Sequence, residues 1–68
     1  MKYSKSIYPK QIIVRAIKAY EELSRIEMTE NEKYWILEFF DCFTDEKLLV
    51  NEFGNYLIEA ANGADGLV

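Results

Sequence analysis

The stretch RIEMTENEKYWILEFF, residues 25–40, decides the fold of this chain. Apolar and polar side chains alternate along it, and the polar pair Asn31-Glu32 lies near its middle, which predicts a β-hairpin with a two-residue turn. A turn at that position fixes the register, because residues of the two strands then pair outward from the turn. The expected pairs are Glu30 with Lys33, Met28 with Trp35, Ile26 with Leu37, and Arg25 with Glu38, the last being of opposite charge.

The predicted hairpin carries apolar side chains on both of its faces. One face holds Ile26, Met28, Trp35 and Leu37, with Phe39 further along, and the other holds Tyr34, Ile36 and Phe40. A chain of this size has few helices with which to cover two apolar faces, so the second set predicts a surface for a partner or a second copy. The alternative is that the N-terminal segment and the C-terminal tail cover it.

The flanking segments predict one more strand and two helices. Residues 3–8 suit a short first strand, and Pro9 suits the first position of a helix that extends to about Leu23. Thr44 is the expected N-cap of a second helix over residues 45–61. The buried positions expected from the three-four spacing are Ile12, Ile13, Ala16, Ile17, Tyr20 and Leu23 in the first helix, and Leu49, Phe53, Tyr56, Leu57 and Ala60 in the second, with Leu48 at the margin.

The element order β-α-β-β-α predicts an α+β fold in which two helices pack on one face of a three-stranded sheet. At 68 residues the chain makes one domain at most, expected over residues 1–63, with residues 64–68 as a disordered tail. Three strands also leave two sheet edges, at which an extended peptide could pair through its backbone.

Composition and charge exclude several classes of function. A net charge of −4 argues against non-specific nucleic-acid binding, which requires a basic surface. No run approaches the ~20 apolar residues of a membrane span, and the N-terminal residues lack the apolar core of a secretory signal. A single cysteine rules out an internal disulfide. We therefore expect a cytoplasmic protein that begins at its natural Met1 and binds neither nucleic acid nor membranes.

The sequence offers little for catalysis. It has no histidine, no cysteine pair and no glycine-rich phosphate loop, so the common general bases, metal ligands and phosphate cradles are missing. Cys42 is the single candidate nucleophile, and without a partner base we interpret it as a small hydrophobe. Asp45, Glu52 and Glu59 recur every seven residues; this pattern suits a stripe for a basic partner or a hard cation, but an ordinary solvated helix face is the expectation. We predict no enzyme activity, metal or cofactor.

Two short segments carry a resemblance to a known family. They are Ile7-Tyr8 leading into Ala16-Ile17-Lys18-Ala19-Tyr20, and Glu52-Phe53-Gly54-Asn55-Tyr56-Leu57. They resemble HxsD, the small protein of His-Xaa-Ser peptide-modification systems, and the second is similar to that family's Glu-Phe-Xaa-Asn pattern. The resemblance implies an accessory protein that works beside radical-SAM maturases of a ribosomally made peptide and holds the precursor peptide, the maturase or both. It carries over Glu52, Phe53 and Asn55, of which Phe53 suits the core.

The function expected from the sequence is a non-catalytic module that binds a peptide or a partner protein, with a homodimer as a further possibility. The expected partner-binding residues are Tyr34, Ile36 and Phe40 on the sheet, and Glu52 and Asn55 on the second helix. An alternative is an acidic regulatory or antitoxin-like protein that binds a basic partner. A small enzyme that uses Cys42 is the third hypothesis.

Overall fold

The computed structural model of the chain describes residues 1–64, with side chains up to residue 62. Its elements are β1 (Lys2–Ser4), α1 (Lys10–Tyr20), β2 (Arg25–Glu30), β3 (Tyr34–Phe40), α2 (Glu46–Glu59) and a π-helical turn (Ala60–Ala64). The order β-α-β-β-α and the α+β class predicted from the sequence are confirmed. Of the tail predicted at residues 64–68, Ala64 belongs to the π-helical turn and residues 65–68 lie outside the described residues.

The three strands form an antiparallel sheet in the order β1-β3-β2. The strand richest in apolar residues, β3, takes the centre, where both of its edges pair with a neighbour. The first strand is shorter than predicted, because the carbonyl of Ser4 accepts the amides of Ile7 and Tyr8 and turns the chain away after three residues.

The hairpin register differs from the prediction by two residues. Arg25 faces Phe40 and Met28 faces Leu37, so the predicted pairs, including the Arg25–Glu38 pair, are wrong. The cause is Asn31, whose side-chain oxygen accepts the amides of Lys33 and Tyr34, each at 2.8 Å, and thereby starts the turn one residue later. Since side chains alternate with a period of two, a two-residue shift leaves every side chain on its predicted face.

The core lies between the sheet and the two helices. Phe53 of α2 is fully buried, and its ring lies 5.2 Å from that of Phe39, 5.6 Å from that of Tyr20 and 6.0 Å from that of Tyr3, between centroids. Such aromatic contacts each add to the free energy of burial. The buried apolar residues are Ile12, Ile13, Ala16, Trp35, Leu37, Leu49, Phe53, Leu57 and Ala60. The predicted face of the hairpin is therefore confirmed as the core face.

The helix ends depart from the prediction by a few residues. Helix α1 begins after Pro9, which is its N-cap, and ends at Tyr20, so Leu23 lies outside it and is 38% exposed. Helix α2 has Asp45 as its N-cap rather than Thr44, because the Asp45 carboxylate accepts the amide of Leu48 at 3.2 Å. Leu48, placed at the margin of the buried stripe, is 53% exposed.

A bulge follows β3. Asp41 has a φ of 54°, the one non-glycine residue with a positive φ in the part of the chain that the structure describes. The chains pair Arg25 with Phe40, yet the next backbone hydrogen bond joins the amide of Phe43 to the carbonyl of Leu23, so one extra residue is accommodated at Asp41. Aspartate tolerates this left-handed conformation better than most residues.

We predict that Asp41→Gly raises the free energy of unfolding by up to about 1 kcal/mol, since glycine adopts a positive φ without steric cost. Asp41→Val should lower it by about 1–2 kcal/mol, because a β-branched side chain is strained there. Urea unfolding monitored by Trp35 fluorescence measures both. Asp41→Asn is the control: it keeps the left-handed preference and removes the charge. An Asp41→Val variant as stable as the wild type would contradict the bulge.

Candidate partner-binding surface

The sheet face opposite the helices is open. Because α1 and α2 both pack on the other side, no element within residues 1–64 crosses this face. We call it the open face; the pleat of the strands directs nine side chains to it. They are Lys2 and Ser4 of β1, Tyr34, Ile36, Glu38 and Phe40 of β3, and Arg25, Glu27 and Thr29 of β2.

Three of the five predicted site residues form an apolar row along the open face. Tyr34 is 37% exposed, and Ile36 and Phe40 are half-buried. The Lys2 ammonium lies 5.6 Å from the Tyr34 ring centroid, and the guanidinium carbon of Arg25 lies 4.5 Å from that of Phe40. The described N-terminal segment pairs with one edge of β3 as β1 and does not cover this row. The row can therefore contact apolar and aromatic groups of another molecule.

Carboxylates lie beside this row. Glu27 directly faces Glu38 across the two strands, an arrangement that destabilises a sheet. Arg25 binds the Glu27 carboxylate at 2.6 Å and lies 3.6 Å from that of Asp41, whereas Glu38 has no ion-pair partner in the described structure. Two carboxylates thus share one guanidinium and a third has none, so this part of the surface is acidic.

Within residues 1–64, the outer edge of β2 is unpaired. On β3, Leu37 exchanges backbone hydrogen bonds with Met1, and the carbonyl of Lys33 accepts the amide of Lys5, so the odd-numbered residues of β3 face β1. The even-numbered ones then face β2, and the alternation of an antiparallel ladder directs the amides and carbonyls of Ile26, Met28 and Glu30 outward.

The opposite edge is less accessible. Strand β1 has only three residues, and the Ser4 carbonyl is already bonded to the amides that follow it. Lys5 also reaches the Glu30 carboxylate at the turn end of the hairpin, and its hydrogen bond and charge lower the pKa of Glu30. Of the two edges, β2 is thus the one that offers a row of free backbone groups.

A surface depression of about 430 Å³ lies at the beginning of β2. Its walls include Ile17 of α1, Ile26 of β2 and Phe43, which is 83% exposed. Sequence reasoning missed it, because it forms only when the bulge at Asp41 brings the connection after β3 beside the start of β2. The available signal was an unexplained phenylalanine in a predicted connection.

Helix α2 carries the other two predicted site residues. Glu52 and Asn55 are exposed, but α2 lies on the far side of the sheet from the open face, so the structure does not bring them together with Tyr34 and Ile36. Phe53 between them belongs to the core, as expected. Tyr20 donates a hydrogen bond to the Glu52 carbonyl at 3.4 Å, and its pKa is raised by desolvation and then by the Glu52 charge.

Two further polar groups, the Cys42 thiol and the Tyr3 hydroxyl, are at least partly buried. The Cys42 thiol is half-buried and lies 3.4 Å from the hydroxyl of Ser24, which is 2% exposed and donates to the Phe40 carbonyl at 2.8 Å. The hydroxyl of Tyr3 is buried and has no hydrogen-bond partner among the described residues, and burial raises its pKa. Over residues 1–64, no three His, Cys, Asp or Glu side chains converge in a way that could hold a metal ion.

Comparisons with known proteins identify no family for this chain. No protein-family model, curated protein or solved structure gives a significant match. Within the described part of the chain, no helix has both the length and the apolar character needed to cross a membrane.

We predict that Glu38→Lys raises the free energy of unfolding by about 0.5–1 kcal/mol, because it turns the Glu27–Glu38 repulsion into an attraction. The gain should shrink at high salt, which screens exposed charges. Thermal unfolding at two salt concentrations measures it. Glu22→Lys makes the same charge change at an exposed position before β2 and serves as the control. Equal effects of the two variants would contradict the pairing.

Proposed function

We propose that this protein is a non-catalytic binding module that holds a peptide or a partner protein against the open face of its sheet. The observation that carries the proposal is the row of Tyr34, Ile36 and Phe40, which no element within residues 1–64 covers, on a sheet whose other side packs against α1 and α2. Tyrosine and phenylalanine offer large contact areas with few rotatable bonds, which suits them to recognition.

The expected affinity follows from the size of the face. Three strands spaced about 4.8 Å apart make a narrow platform, and its short β1 limits the area further. A contact of this size falls in the class of small, transient interfaces rather than permanent ones. The proposal assigns no reaction to the chain.

The resemblance to HxsD supports a narrower form of the proposal. In that form the bound segment is a precursor peptide or part of its radical-SAM maturase, and the chain is an accessory protein of peptide maturation. Glu52 and Asn55 then form a second contact surface on α2, on the side of the sheet opposite the open face. Two separate surfaces would suit a protein that brings a peptide and an enzyme together.

The acidic patch favours one alternative, a regulatory or antitoxin-like protein that neutralises a basic partner. Around Arg25, the carboxylates of Glu27, Glu38 and Asp41 outnumber the one guanidinium, and the whole chain carries a net charge of −4. An interaction of this kind depends on charge, so salt distinguishes it from apolar docking.

We predict that peptides selected from a random dodecapeptide display library on the immobilised protein bind through the open face. The double variant Tyr34→Ser/Ile36→Ser should weaken their binding about tenfold or more, because it removes central apolar contacts. Fluorescence anisotropy gives the dissociation constants, and circular dichroism checks the fold. The matched control is Leu48→Ser/Ile58→Ser, which removes exposed apolar groups from α2 and should leave binding unchanged.

Two results would overturn this proposal. In the first, the Tyr34/Ile36 variant loses its cooperative unfolding, which would assign these residues to the core. In the second, the variant folds and binds the selected peptides as tightly as the wild type. A steep loss of affinity between about 0.05 and 0.5 M salt would favour the acidic alternative instead.

A further inference from the structure

We propose that part of the bound peptide adds to the sheet as a fourth strand along β2 and carries a lysine or arginine between two apolar residues, while the rest of the peptide lies against the open face. This inference rests on the proposed function and specifies its ligand: a short extended peptide of alternating apolar and basic character. Three features of β2 lead to it, namely its free backbone groups, its half-buried apolar side chains and its acidic surroundings.

The backbone of β2 offers hydrogen-bonding groups to which a further strand can pair. Ile26, Met28 and Glu30 direct their amides and carbonyls away from the sheet, and no other described backbone group bonds to them. From Ile26 to Glu30 the edge extends over about 14 Å, which accommodates five residues of an added strand. The other edge ends after three residues of β1, so β2 is the side that offers the longer ladder.

The apolar side chains of β2 on the helix face can pack against further apolar side chains. Ile26 and Met28 pack against the core but remain half-buried, because within the described residues β2 has a neighbouring strand on one side only. Residues of an added strand opposite these two would point to the same face and complete their cover. The one opposite Ile26 would also adjoin the depression lined by Ile17 and Phe43, which has room for a large apolar side chain.

The residue of the added strand between those two points to the open face. It lies opposite Glu27, which itself faces Glu38, and Asp41 is bound to the same Arg25 as Glu27. A cationic side chain there would supply the charge that Arg25 alone does not, whereas a carboxylate would add a fourth negative group. Charge therefore selects lysine or arginine at this position.

A second copy of the chain fits this edge poorly. Of the two antiparallel self-pairings that overlap most of β2, the one centred on Glu27 sets the two Glu27 carboxylates face to face. The one centred on Met28 sets Ile26 against Glu30 of the second copy, which places an apolar side chain beside a carboxylate. A foreign peptide with a central cation avoids both conflicts.

The test uses the peptides that the display library yields on the wild-type protein. They should share a lysine or arginine flanked by apolar residues. Glu27→Lys should weaken their binding about tenfold, because it replaces an attraction with a repulsion. A new selection on Glu27→Lys should favour aspartate or glutamate at that position. Glu22→Lys, with the same charge change on an exposed residue before β2, should alter neither affinity nor preference.

Backbone N-methylation of the selected peptide tests the strand geometry itself. Methylation at alternate residues should weaken binding about tenfold or more, because those amides donate hydrogen bonds to β2. Methylation at the residues between them should change the affinity little. Equal sensitivity at every residue, or no sensitivity at any, would overturn strand addition.

The outcomes separate this inference from the proposed function. Suppose that binding of the peptides depends on Tyr34 and Ile36 but is changed neither by Glu27→Lys nor by N-methylation. The open face would then remain the binding site, and strand addition along β2 would be overturned. A library that yields no binder would overturn both. Light scattering could instead show a dimer that the selected peptides do not dissociate, with the β2 amides protected from hydrogen exchange. That result would identify a second copy as the occupant of the edge and overturn the proposal that a peptide binds there.

Discussion

Two short helices can shield only one face of a three-stranded sheet, and the rest of this structure depends on that constraint. Helices α1 and α2 have eleven and fourteen residues, and both direct their apolar stripes to the same side. Phe53 fixes this arrangement, because its ring contacts aromatic side chains from β1, α1 and β3 at once. The chain has no further element within its described residues for the other side, so that side stays open.

The open side has a composition that solvent exposure alone does not explain. Ile36 and Phe40 lie on the central strand, where a fold without a partner could carry polar side chains at no cost to its core. Glu27 and Glu38 face each other there although that pairing costs stability. Under the proposed function, both features lose their cost when a complementary molecule is bound.

The side-chain faces could be predicted from the sequence, while the pairing of the strands could not. Alternation along β3 assigns Trp35 and Leu37 to the core whatever the turn, because a period of two survives a two-residue shift. The exact register depended on whether Asn31 lies inside the turn or starts it, which its side-chain hydrogen bonds decide. Thr44 and Asp45 posed the same difficulty at α2, since both are good N-caps.

The candidate site was predictable only in part. Tyr34, Ile36 and Phe40 share a face by periodicity, whereas the separation of Glu52 and Asn55 from them follows from the side on which α2 packs, which local sequence does not encode. The free edge of β2 required the strand order, and the depression beside Ile26 required the bulge at Asp41. Features that arise from elements distant in sequence were thus the ones that sequence reasoning missed.

The central claim is that the sheet ends at an unpaired β2 edge beside an open face. Residue-resolved amide hydrogen exchange of the isolated protein tests it most directly. The amides of Arg25, Glu27 and Thr29 should exchange slowly because they donate to β3, while those of Ile26, Met28 and Glu30 should exchange fast. Uniformly slow exchange along β2 would mean that another chain already covers this edge, and it would contradict the structure presented here.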